Sequence, residues 1–331
     1  MEQISSIPRC KFACLPTPIH CLYRLSKNLG GPQIYIKRDD LTGIGVGGNK
    51  IRKLEFLIAD AITQSATDII TQGATQTNHG SQTSAVANKY GLPCHLLLEN
   101  RCMNKNKEYL QSGNIFLSNL LHTHIYHFDK GTDMIHEMNK LADKLISQGK
   151  RPYIIPGGAS NALGSLGYVI CAKEIAEHPV DIDEVIVCAG SGGTQAGLVA
   201  GFHLIESHIK VLGISNNSNK NTQLLKVDRL CNDILALLKE DTGIPSDKLQ
   251  FNCEYIGTGY GHLDTSTIDA IKMVARQEGL FLDPVYTGVA MAGLIDLIRK
   301  GRYTKDQKVL FLLTGGFSSL FAYKTVFNKI L

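Results

Sequence analysis

The feature that most constrains how this chain can fold is an alternation repeated along its length, in which short apolar runs of strand character are followed by longer runs with helical spacing. Strands are predicted at residues 33–38, 68–72, 94–98, 124–127, 152–155, 184–188, 209–214, 251–255 and 308–313, with helices between most of them. Strands that alternate with helices predict parallel sheets covered on both faces, a doubly wound α/β arrangement. At 331 residues the chain is too long for one small core. No linker rich in Pro, Ser or charge divides it, so two such domains would have to interleave their chain.

Composition narrows the function. Charged residues make up 19% and apolar ones 44%, and the net charge of +4 is spread among interspersed acids. That argues against a nucleic-acid surface and leaves small molecules, with a mild preference for anions. No apolar run approaches membrane length, and the opening MEQISSIPRCKFACLPTP lacks the pattern of a secretion signal. Nine scattered cysteines read as reduced thiols of a cytoplasmic protein. Cys10 and Cys14 have no second pair at metal spacing, and His122 and His124 have no acid or thiol beside them, so no metal site is expected.

Chemistry concentrates in the loops. Gly47-Gly48-Asn49-Lys50 brings a glycine-rich turn to the start of a helix, with Asn49 as the expected N-cap and Ile51, Leu54, Leu57, Ile58, Ala61 and Ile62 on a buried face. A lysine there can be desolvated, which lowers its amine pKa and makes it a nucleophile towards an aldehyde, although a surface lysine after a turn would look the same. Gly190-Ser191-Gly192-Gly193-Thr194 joins an apolar strand to a helix, where backbone N–H groups collect a phosphate. Gln195 stands where a dinucleotide fingerprint wants glycine, and no Gly-Lys-Ser/Thr follows, so a small phosphate monoester fits better than a nucleotide. The loop could also be only a tight turn. Thr77, Asn78 and His79 open another helix and offer a receptor for a carboxylate or a ring hydroxyl, or else plain capping. Thr314 ends an apolar strand at the carboxyl edge of a sheet. Tyr260 and Tyr286 lie beside glycines as candidate acid/base groups, against the commoner role of core tyrosines. A buried amine, a small-phosphate cup and polar groups for an aromatic ring together point to pyridoxal 5'-phosphate.

The motifs GGNKIRKLE, GATQTNH, CAGSGGTQAGL, DPVYTG and LLTGG, in this order and over nearly the whole chain, resemble the D-cysteine desulfhydrase and 1-aminocyclopropane-1-carboxylate deaminase family of fold-type-II pyridoxal-phosphate enzymes. The resemblance implies that Lys50 binds the cofactor covalently and then moves the substrate's α proton. It implies that Asn78 bonds the ring hydroxyl, that Gly190, Ser191, Gly192, Gly193 and Thr194 hold the phosphate, and that Thr314, with Thr287 nearby, meets the ring nitrogen. Thr77 and Asn78, with His79 beside them, would take the substrate carboxylate, and Tyr260 and Tyr286 would face its side chain. It further implies a large cofactor domain from residues 1–52 and 161–331, a smaller inserted α/β domain from 53–160, and a homodimer acting on a small amino acid.

Departures bear on the substrate. The family commonly has serine at Thr77, arginine at Ser81 and lysine at Val289, and the deaminase branch carries glutamate at Thr287 and an apolar residue at Thr314. A hydroxyl cannot hold a pyridine nitrogen protonated as a carboxylate can, so the expected reaction is β-elimination from a small β-substituted amino acid. D-Cysteine giving pyruvate, ammonia and hydrogen sulfide leads. L-Cysteate lysis and cyclopropane ring opening are the alternatives within the class, and a non-catalytic binding protein is the alternative outside it.

Overall fold

The computed structural model describes residues 2–102 and 106–328. Ten strands lie among them. In chain order they are β1 (Ile19–Cys21), β2 (Gln33–Arg38), β3 (Asp68–Ala74), β4 (Cys94–Glu99), β5 (His124–Phe128), β6 (Pro152–Ile154), β7 (Glu184–Ala189), β8 (Lys210–Ser215), β9 (Gln250–Asn252) and β10 (Lys308–Leu313). Six form one sheet in the order β1-β2-β10-β7-β8-β9, parallel except for the edge strand β1, and four form an all-parallel sheet in the order β5-β4-β3-β6. The doubly wound α/β architecture is therefore as expected from the alternation.

Strand composition explains the burial. Parallel strands covered by helices on both faces read as continuous apolar runs, and β10 shows this in KVLFLL. Val309, Phe311 and Leu313 enter one core while Leu310 and Leu312 enter the opposite one, as the two-residue strand period requires. In the smaller sheet Ile69 of β3 packs on the helix Asn49–Thr63, while Ile70 turns to the helix Met134–Ser147.

Helix 49–63 differs from its sequence reading in being buried on more than one face: Arg52, Lys53 and Glu55 are enclosed together with the apolar positions, whereas Ile62, in the last turn, is 47% exposed. Enclosed charges need partners. Arg52 makes a fork to Asp39 (Nε–Oδ2 2.8 Å, Nη2–Oδ1 2.9 Å) and a second to Glu174 (both contacts 2.8 Å). Glu55 accepts from Arg9 and from the backbone of Phe12 and Ala13, which ties the N-terminal arm to the helix.

The N-cap is also corrected. Gly48, at φ 133°, occupies the cap position, and Asn49 is the first helical residue. Its carboxamide is drawn away from the helix backbone by Thr194 and Lys50 instead. After Gly315 and Gly316, both at positive φ, the chain continues as a 3-10 stretch Phe317–Tyr323 and a short helix Lys324–Asn328. All nine cysteines are free.

Candidate active site

In an open parallel sheet, loops at the carboxyl ends of strands converge on a crevice. Here loops from both sheets do so. A cavity of about 330 Å³ is lined from the end of β3 (Ala74, Thr77, Asn78, His79), of β4 (Arg101), of β7 (Gly190, Ser191) and of β10 (Thr314), with Lys50 at its wall.

Lys50 presents its amine to this cavity, 2.9 Å from Asn49 Oδ1. Burial pushes its pKa down to about 8, with Cys188 and Asp283 pulling weakly the other way. The unprotonated amine, the state a nucleophile needs, is therefore far more populated near neutral pH than in an ordinary lysine, although it is still the minor form. Asn49 Nδ2 donates in turn to Thr194 Oγ1 at 3.0 Å, so one carboxamide links the lysine to the glycine loop.

That loop opens the helix Gly193–Leu204, whose first N–H groups have no acceptor inside the helix. It is tightly built. A Cβ on Gly193 would sit 2.6 Å from Ser160 Oγ and 2.8 Å from Lys53 Nζ, and Ser160 Oγ is itself 2.7 Å from Ser191 Oγ. Lys53 is one of the residues that sequence reasoning missed. It is fully enclosed, bonded only to Gly158 O and Ser160 Oγ among the described residues, and burial together with the charge of Lys50 pushes its pKa well below the ordinary lysine value. An unpaired buried amine beneath a ring of free N–H groups calls for an anion. Its position one turn after Lys50 was the available signal.

Thr77 caps the helix Asn78–Lys89 by accepting from Gly80 N–H at 3.1 Å, which leaves its hydroxyl hydrogen free. Asn78 is oriented by Asn114: Asn114 Nδ2 donates to Asn78 Oδ1 at 2.7 Å, so Asn78 is left with its NH2 as a donor. Asn114 is held by Ser81 and Ser318 at its oxygen and by Gln76 at its backbone N–H. His79 lines the cavity beside Thr77 and Asn78, with both ring nitrogens facing hydroxyl groups. Thr71 donates to Ile155 O at 2.8 Å, so its oxygen must accept from His79 Nε2–H at 2.7 Å, and Nδ1 faces the Thr83 hydroxyl at 3.4 Å. Burial, then the charges of Lys50 and Lys53, keep this imidazole neutral.

Tyr286 lines the cavity, and its hydroxyl lies 2.5 Å from that of Tyr260, which stands outside it. Burial raises Tyr286 to about 12, and the bond from Tyr260 holds it from rising further. Thr314 lines the cavity with no side-chain partner among the described residues. Thr287 does not reach it: its hydroxyl donates to Asp283 Oδ1 at 2.8 Å and accepts from Asp283 N–H at 2.7 Å. Asp283 also takes the N–H groups of Val285, Tyr286 and Thr287, which fixes the start of the helix Thr287–Arg299 and the direction of Tyr286.

These donors fit pyridoxal phosphate: an amine of lowered pKa for its aldehyde, a crowded N–H cup with a buried lysine for its phosphate, a carboxamide NH2 for its ring hydroxyl, and a free hydroxyl for its ring nitrogen. The fold and the site thus define a pyridoxal-phosphate enzyme with its lysine at a helix start between two α/β sheets. The chain belongs to the family of pyridoxal-phosphate dependent enzymes, whose model matches residues 11–315. It is similar over its full length to a solved structure described as an ACC deaminase homologue, at 36% identity and a TM-score of 0.91, covering 100% of this chain and 98% of that one. Among the described residues no helix is long and apolar enough to cross a membrane.

Proposed function

We propose that this enzyme catalyses α,β-elimination on a small β-substituted amino acid, with D-cysteine and water giving pyruvate, ammonia and hydrogen sulfide as the parent reaction. The observation that carries this reading is the absence of any Asp or Glu among the described residues lining the cavity, with Thr314 the free hydroxyl at the end of β10. Bound pyridoxal phosphate supplies electron withdrawal from the substrate's α carbon, and a neutral partner at the ring nitrogen keeps that withdrawal modest. Modest withdrawal suits loss of a good leaving group more than the opening of an unactivated ring.

The chain's own groups divide the remaining work. The first N–H groups of helix 78–89 and the Thr77 hydroxyl bind the substrate carboxylate. The Lys50 amine, held by Asn49, takes the α proton at Nζ. Tyr286 faces the β-substituent, and a Tyr260 hydroxyl donating to its oxygen favours Tyr286 as the partner that shares a proton with the leaving group. Cys188 also lines the cavity, and burial raises its pKa, which favours the thiol over the thiolate.

Ring opening of 1-aminocyclopropane-1-carboxylate is the second reading, favoured by the likeness to the deaminase homologue. Keto-acid release from D-cysteine, L-cysteine and the cyclopropane amino acid separates the two: a cysteine is expected to have a higher kcat/KM than the cyclopropane substrate, and the reverse preference would overturn the proposal. The resemblance and the free thiols support a cytoplasmic homodimer, testable by light scattering of the purified protein.

A further inference from the structure

Charge balance in the site leaves one cation without a task. Among the described residues the cavity is lined by Lys50, Lys226 and Arg101 and by no carboxylate. Lys50 serves the cofactor aldehyde, and Lys226 Nζ lies on the phosphate side, 3.1 Å from Gly190 O and 3.2 Å from Gln223 Oε1. Arg101 remains. Its Nε donates to Glu99 Oε2 at 2.6 Å, and Glu99 is fixed by the Gly131 N–H at 2.9 Å on its other oxygen. The guanidinium lies over the Tyr260 ring, 5.7 Å from its centroid, and Tyr260 is the phenol that touches Tyr286. Its two terminal nitrogens have no hydrogen-bond acceptor among the described residues, and the side chain keeps 33% exposure.

The guanidinium also stands where the inner cavity meets a second one of about 350 Å³, which shares Arg101 and Asn217 and adds Lys130 and His262. Among the described residues Glu99 is the one acid lining that outer cavity, and Arg101 and Gly131 occupy it. A rigid fork of N–H donors, orientated through Nε and left open at its ends on an approach of positive charge, has the geometry of a bidentate oxyanion receptor.

Resting on the elimination reading, we propose that Arg101 selects amino acids whose β-substituent is an oxyanion, a sulfonate or a phosphate ester, over those whose β-substituent is neutral. For the sulfonate, the α C–H bond breaks with its proton passing to Lys50. The Cβ–S bond breaks with its electron pair leaving on sulfur as sulfite, and water supplies the oxygen of pyruvate as ammonia departs. No oxidant or reductant is needed. A phosphate ester would release phosphate in the same way.

The test uses the holoenzyme and two readouts. In the first, kcat/KM is measured for both enantiomers of cysteate, O-phosphoserine and β-chloroalanine. The acidic substrates are expected to exceed β-chloroalanine, and Arg101→Gln to lower that ratio at least 30-fold, mainly through KM, with Arg101→Lys restoring part of it. Cysteate and O-phosphoserine tell the two oxyanion sources apart. In the second, calorimetric Kd values compare α-methylcysteate with α-methylserine, neither of which has an α proton to lose. Their affinity ratio is expected to favour the sulfonate and to fall at least 20-fold in Arg101→Gln. If no substrate is eliminated while the affinity ratio holds, the elimination reading fails and the assignment of Arg101 stands. A wild-type ratio below one, or ratios unmoved in both Arg101 variants, overturns the assignment.

Discussion

Asn114 acts on the site without lining it. It turns Asn78 by hydrogen bonding and gathers Ser81, Ser318 and the Gln76 backbone carbonyl around one buried carboxamide. Asn114→Ala is expected to leave several of these groups unpaired at about 1–3 kcal/mol each, lowering the unfolding midpoint and weakening cofactor retention together. Equilibrium denaturation and cofactor content after dialysis check both. Lys50 carries a pH signature. Its folded pKa of about 8 lies below the ordinary 10.5, so between those values the unfolded chain binds more protons and the cofactor-free protein gains stability as pH rises. Below pH 8 the cost of enclosing the charged amine is fully present. The rise between pH 8 and 10.5 is expected to be smaller in Lys50→Met, by urea titration at a series of pH values. The sequence made Lys50, Thr77, Asn78 and Thr314 visible because each follows a strand and opens a helix or a glycine turn. It could not reveal that Thr287 is consumed by Asp283 or that both nitrogens of His79 are engaged, since those bonds depend on how the loops close.

Among the elements, helix 49–63 and helix 193–204 do most to form the site, and each is held by a close approach. At Gly193 there is no room for a methyl group between the backbone and Ser160 or Lys53. Gly193→Ala is expected to cost at least one charge-assisted hydrogen bond to the phosphate, about 1.5–3 kcal/mol, or a tenfold or greater rise in the cofactor's Kd, measured by fluorescence titration. Helix 49–63 is pinned by Arg52, which joins Asp39 after β2 to Glu174 in the helix Ala162–Ala176. Arg52→Met strips the charge from between two carboxylates and is expected to destabilise the fold by about 3–5 kcal/mol in chemical denaturation. Helical spacing located helix 49–63, but spacing predicts one buried face and is blind to the charges that fill the others.

Over the whole molecule, the alternation of strands and helices was sufficient for the architecture, because the period of each segment is local chemistry. Strand order was not legible: β10 inserts between β2 and β7, and Ser318 bonds Asn114 across 204 positions, contacts that no window of sequence contains. That long-range closure brings Lys226 and Arg101 to the cavity of Lys50, and Lys53 lies one turn along the same helix, so the identity of the attachment point is the claim on which the mechanism turns. The most direct test is borohydride reduction of the purified holoenzyme, followed by proteolysis and mass mapping of the pyridoxyl group. The label is expected on Lys50 alone and is expected to vanish in Lys50→Ala. A pyridoxyl group on Lys53 or Lys226 in the wild type, or an undiminished label in Lys50→Ala, would contradict it.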